Sequence, residues 1–132
     1  MASRVSLRVV QLGTPRHPGE GLRIGTVRRP PRGVPRSAYQ AQNWFDVWLP
    51  ELAPTPAAVK LAQRADTPRQ WRSFVRRYRK EMAAPEKVRL LKLLAALSHG
   101  TDLSVGCYCS DERRCHRSVL RALLLEQGAR IT

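Results

Sequence analysis

Leu103-Ser104-Val105-Gly106-Cys107-Tyr108-Cys109-Ser110-Asp111-Glu112-Arg113-Arg114-Cys115-His116-Arg117-Ser118 is the stretch on which the fold turns. Its first part, 103–109, is a short apolar run with the composition of a buried strand. The segment 115–127 that follows carries the apolar spacing of an amphipathic helix and stops at Gly128. A strand leading directly into a helix is the building unit of α/β proteins. Such junctions hold ligands, because a helix N-terminus leaves N–H groups unpaired and carries a partial positive charge. This junction contains all three cysteines of the chain, one of its three histidines and three arginines.

Upstream, 6–12 and 22–27 are rich in β-formers and predict two further strands, separated by a turn-rich loop at 13–21. The next segment, Arg28-Arg29-Pro30-Pro31-Arg32-Gly33-Val34-Pro35-Arg36, cannot be helical and places its arginines on a loop. Trp44, Phe45, Trp48 and Leu49 crowd into 43–52, which predicts a short helix or packed turn. Thr55-Pro56 and Thr67-Pro68 each pair an N-cap with proline at the first helical position, and Gln70 completes a capping-box spacing with Thr67. Trp71, Phe74, Val75, Tyr78 and Met82 then recur at helical intervals, opposite Arg72, Arg76, Arg79 and Lys80. Pro85 opens another helix to Leu97, with Gly100 suited to its cap, and 129–132 has the character of an edge strand. Two strands, a helical middle and a final strand–helix unit predict a small, mostly parallel sheet covered by helices. The expectation is one layered α/β domain over 1–132.

The formal net charge is +14, and from 1 to 44 the chain has eight arginines against the single acid Glu20. Such a field attracts phosphate-bearing ligands and nucleic acid. Twenty of the 24 basic residues are arginine, which a GC-rich coding sequence would also produce. No apolar run approaches the roughly 20 residues that span a bilayer, so no membrane partner is expected. The first residues lack a secretory pattern, and a cytoplasmic location with reduced cysteines is the expectation. The sequence names no oligomeric state.

Gly21-Leu22-Arg23-Ile24, the arginine-proline loop, Trp48-Leu49-Pro50-Glu51-Leu52-Ala53-Pro54, and Trp71-Arg72-Ser73-Phe74-Val75-Arg76-Arg77-Tyr78 with Glu81 occur in that order. Cys107-Tyr108-Cys109 and Cys115-His116-Arg117-Ser118 complete the series. Together they resemble domain-of-unknown-function family 488, including its YeaO-like members, from about residue 6 to 128. YeaO-like members usually carry Arg-Leu-Trp-Pro-Arg-Gly where this chain has Arg29-Pro30-Pro31-Arg32-Gly33. The resemblance implies an α/β domain in a bacterial or archaeal cytoplasm, and no substrate.

Four readings of the cysteine-rich junction follow from its residues. In the first it is an anion site, with Arg117 and Ser118 at the start of the last helix. Arg28, Arg29 and Arg32 would close it from the neighbouring strand's end, around a phosphate-bearing ligand or nucleic acid. The second is zinc held by Cys107, Cys109, Cys115 and His116, although adjacent ligands such as Cys115 and His116 do not ordinarily reach one ion, and no cofactor is otherwise implied. The third is an enzyme in which Cys115 acts with His116, against the rule that sequence neighbours on a helix do not face each other. The fourth is structural: Cys107 and Cys109 fill one face of a strand, and His116 and Arg117 cap or pair locally. The aromatic residues at 44, 48, 71, 74 and 78 suit base stacking, but the helical spacing of the last three favours core packing.

Overall fold

A computed structural model describes residues 4–132. Its sheet has four parallel strands: β1 (Leu7–Gln11), β2 (Leu22–Gly25), β3 (Val47–Trp48) and β4 (Leu103–Cys107). Their spatial order is β1-β4-β2-β3, so the last strand in the chain is inserted between the first two. Leu7 and Leu22 both lie opposite Leu103, and Val9 and Ile24 both lie opposite Val105. Every residue of β4 is buried, as expected of a parallel strand covered on both faces. At the outer edge of β1, Ile131 forms a parallel bridge to Leu7, which is as far as the edge strand expected at 129–132 develops.

The described residues form four α-helices, α1 (Pro56–Gln63), α2 (Pro68–Met82), α3 (Pro85–Leu97) and α4 (His116–Glu126), and the first three begin at their proline signals. Thr55 caps α1, and Thr67 with Gln70 makes a complete capping box on α2. Phe74, Tyr78 and Met82 of α2 pack with Leu91, Leu94, Leu120 and Leu124 against one sheet face, formed by Leu7, Ile24, Leu103 and Val105. Tyr78, wholly buried, donates its hydroxyl to the Leu52 carbonyl at 2.6 Å. No helix among the described residues is long and apolar enough to cross a membrane.

Among the described residues no α-helix covers the opposite sheet face, where Phe45 and Tyr39, just after the short helical turn Arg36–Ala38, pack together. The chain from β1 to β2 must run back across this face to enter β2 in parallel, and it does so as an irregular loop, 12–21. Parallel crossovers are ordinarily longer and helical. Here the wholly buried Arg23 guanidinium holds the loop instead. It binds both carboxylate oxygens of Glu20 at 2.9 Å and donates to the carbonyls of Thr14 and Asn43 at 2.9 and 2.7 Å. Ser104 of β4 donates to Glu20 as well. Next to this polar cluster, Gly25 lets the Phe45 ring lie directly on the sheet, since a Cβ there would come within 2.4 Å of it.

Several expectations change. The segment 43–52 is not a helix: Val47 and Trp48 pair with β2, and only Pro50–Leu52 makes a helical turn. The second strand ends at Gly25 and the fourth at Cys107, so Cys109 lies beyond the strand and is exposed. Ser98, in right-handed conformation, caps α3 in place of Gly100.

Glu20→Gln removes the charge that balances a buried guanidinium and is expected to cost about 3 kcal/mol in urea unfolding. A cost below about 1 kcal/mol would mean that the carbonyl acceptors suffice. Asp46 accepts from Arg16 and from the Arg23 backbone N–H. Burial opposes its ionisation, but these bonds outweigh burial and lower its pKa below 3.8. Its contribution to stability is therefore present above the unfolded pKa and lost as pH falls through the folded one. Asp46→Asn should destabilise the protein at neutral pH, with the gap to wild type closing as pH falls below the usual carboxylate range. A gap independent of pH would show that the carboxylate charge contributes nothing.

Candidate functional site

A cleft of about 980 Å³ opens at the C-terminal ends of β1, β4 and β2. Open parallel sheets bind ligands at this edge, where loops of free shape meet the first turns of helices. Gln11 at the end of β1 and Leu12 after it enter the cleft wall, as do Val27 and the arginine-proline loop after β2, and Cys107 at the end of β4 with Tyr108 and Cys109 beyond it. Arg28, Arg29, Arg32, Lys60 and Arg114 supply its charge, and no carboxylate lines it. Trp44 and Tyr108 stand edge to face in its wall with ring centroids 5.8 Å apart. Tyr108 also donates its hydroxyl to the Arg29 carbonyl at 2.8 Å, which ties the strand end to the basic loop.

The basic side chains divide by what holds them. Arg28 donates to the Ala53 and Pro54 carbonyls, and Arg114 donates to Ala65 while its guanidinium lies 5.1 Å from the Trp71 ring centroid. Among the described residues, the exposed side chains of Arg29, Arg32 and Lys60 have no hydrogen-bond or ion-pair partner. Arg117 and Ser118 are absent from the cleft wall. Arg117 is buried and donates to the Cys109 carbonyl, and Ser118 donates to the Cys115 carbonyl at 3.0 Å. The common basic face expected of Arg28, Arg29, Arg32 and Arg117 therefore includes the first three only. Arg117 instead fixes the loop that carries Cys109.

The three thiol sulfurs converge within 4.8 Å of one another, with Cys107 and Cys115 buried and Cys109 exposed. Cys107 and Cys109 are 3.9 Å apart, sulfur to sulfur. Cys115 is the extended residue that precedes α4, not part of its first turn. The rule against neighbouring helical side chains facing each other consequently does not apply, and its Sγ lies 3.7 Å from His116 Nδ1. His116 Nε2 lies 2.9 Å from the Thr26 carbonyl, which can only accept, so that nitrogen carries a proton. In the neutral ring Nδ1 is then the acceptor facing Cys115. Hydrogen bonds from Cys107 and Cys109 lower the Cys115 pKa, burial opposes them, and His116 adds to the lowering. Hydrogen bonding to Cys109 and Cys115, together with burial, raises that of Cys107. His116 is not part of the three-sulfur group. Chemically, the arrangement offers one thiol beside a proton acceptor and three soft donors at one point, all facing a basic cleft.

Fold and site define an open parallel α/β protein whose C-terminal sheet edge is lined with thiols and arginines. The chain belongs to the DUF488 family: the family model described as the active DUF488-N3 subclade matches residues 7–128. Searches of curated proteins and of solved structures returned no match.

Sequence reasoning named Trp44 among the residues suited to base stacking but did not place it in this cleft. Its signal was Gly13, whose φ of +87° favours glycine and whose Cβ would come 2.6 Å from the Trp44 ring. Gly13→Ala should cost about 1–3 kcal/mol and shift the tryptophan emission as Trp44 is displaced. Unchanged stability and emission would show that the loop relaxes around the new methyl group.

Proposed function

We propose that this protein binds a nucleotide-type ligand, free or at the end of a nucleic-acid strand, in the cleft at the C-terminal edge of its sheet. The observation that carries this reading is the composition of the wall: five cationic side chains and no carboxylate, beside two aromatic rings. Arg29 and Arg32 are the phosphate ligands, because their guanidinium groups are exposed and uncommitted whereas those of Arg28 and Arg114 are held by backbone carbonyls. Lys60, on α1, adds charge from the opposite wall. Trp44 and Tyr108 offer the apolar surface on which a base rests. Arg117 and Ser118 act indirectly, by holding the Cys109 loop and the start of α4.

The cleft is large enough for a mononucleotide, and pockets of this size bury most of a ligand of that class. A charged contact of this kind contributes about 1.5–3 kcal/mol. The Arg29→Ala/Arg32→Ala double variant should therefore bind a fluorescent mononucleotide at least about tenfold more weakly than wild type. Affinity for a short single strand should fall with salt, with a logarithmic slope of about −0.7 per phosphate neutralised. Comparing the two probes separates a free nucleotide from a strand end. Affinity indifferent both to salt and to the double substitution would overturn the reading.

A further inference from the structure

We propose that Cys107, Cys109 and Cys115 form a zinc site with three thiolate ligands and a fourth position on the cleft side. A tetrahedral ion with zinc–sulfur bonds of about 2.3 Å requires sulfur–sulfur edges of about 3.8 Å. The Cys107–Cys109 edge is 3.9 Å, and no edge exceeds 4.8 Å, so ligation draws the sulfurs together by about 1 Å at most.

The three ligands arrive from differently constrained positions. Cys107 ends β4 in register with Gln11 of β1, and Cys115 is fixed as the residue that starts α4. Cys109 lies on the connecting loop, whose backbone is held by Arg117 at the Cys109 carbonyl and by Gln11 at the Tyr108 carbonyl. Two rigid donors and one adjustable one suit an ion that sets its own bond lengths. His116 lies outside the three-sulfur group, with its Nδ1 3.7 Å from Cys115 Sγ, and is not counted among the ligands. All three cysteines line the cleft, so the remaining position is reached from there by water or by a ligand atom.

Charge and softness select the metal. Three thiolates around a divalent cation leave a net charge of −1, which the surrounding arginines and Lys60 offset. Thiolate sulfur favours zinc over calcium or magnesium, which take oxygen donors. A disulfide would use two of the sulfurs and leave the third unpaired, whereas a metal engages all three.

The proposal does not depend on the nucleotide reading, and its test keeps the two apart. Cobalt(II) is titrated into the fully reduced full-length protein and followed by absorption, and zinc is then added. One cobalt per chain is expected, with thiolate-to-cobalt charge-transfer bands and the intense visible bands of tetrahedral cobalt, all lost when zinc displaces it. Zinc should also protect all three cysteines from alkylation, read by mass spectrometry. Cys109→Ala alters an exposed residue and should keep the wild-type circular dichroism while weakening the charge-transfer bands. The Arg29→Ala/Arg32→Ala variant should still show the thiolate-to-cobalt bands. Absence of thiolate bands, bands unchanged in Cys109→Ala, or any thiol left unprotected by zinc would overturn the proposal.

Discussion

The fold depends on one buried ion pair, Arg23 with Glu20. A sheet whose first two strands run parallel needs a return path between them, and this chain makes that path without a helix. A bare loop laid across a sheet exposes backbone polar groups to a dry interior, where an unmet group is costly. The Arg23 guanidinium meets that need from within the sheet: it satisfies the Thr14 carbonyl of the loop and the Asn43 carbonyl ahead of β3, and fixes the Glu20 carboxylate at the loop's end. Burying a charge is expensive in itself, so the arrangement is tolerable only because the pair is bidentate and nearly every donor is engaged. One sheet face is thereby a conventional helical core, and the other a polar clasp with glycines beside it.

The helical half of this architecture was legible in the sequence because proline and threonine mark helix starts by local chemistry. Strand existence was legible for the same reason, from short β-rich runs between turn residues. What was not legible depends on distant partners. Val47 and Trp48 form a strand only because β2 offers them an edge, and a two-residue segment has no periodicity of its own. Leu22-Arg23-Ile24 alternates as if Arg23 faced water, and nothing local shows that Glu20 and Asn43 will enclose it. The cysteine-rich junction was correctly located. Its internal geometry was not, since Cys115 reaches His116 only by being extended at the residue where the helix has yet to begin.

Arg117 shows how the same limit affects a candidate site. A basic residue on the first turn of a helix at a sheet edge has the position expected of an anion ligand. In the fold it turns inward to the Cys109 carbonyl, and the exposed cations come from the arginine-proline loop instead. The prolines account for this. They keep the segment out of helix, so that Arg29 and Arg32 stand on an irregular loop at the cleft without neighbours of their own. The chain thus separates two tasks that one helix terminus often combines: α4 organises the sulfurs, and the loop after β2 supplies the charge.

The strand order has a consequence for how the chain comes to be folded at all. β1 and β2 do not pair with each other: β4 lies between them, and the remaining pairing is that of β2 with the two-residue β3 and the single bridge from Leu7 to Ile131. During synthesis, the first hundred residues therefore emerge without the partner on which their pairing depends. The helices can form locally, but the sheet closes in one late event, when 103–107 slots between two waiting strands. Such long-range closure is slow and leaves unpaired strand edges open to other chains in the interval. A ribosome-bound chain stalled before residue 103 would thus be a helical species whose first strands still have open edges.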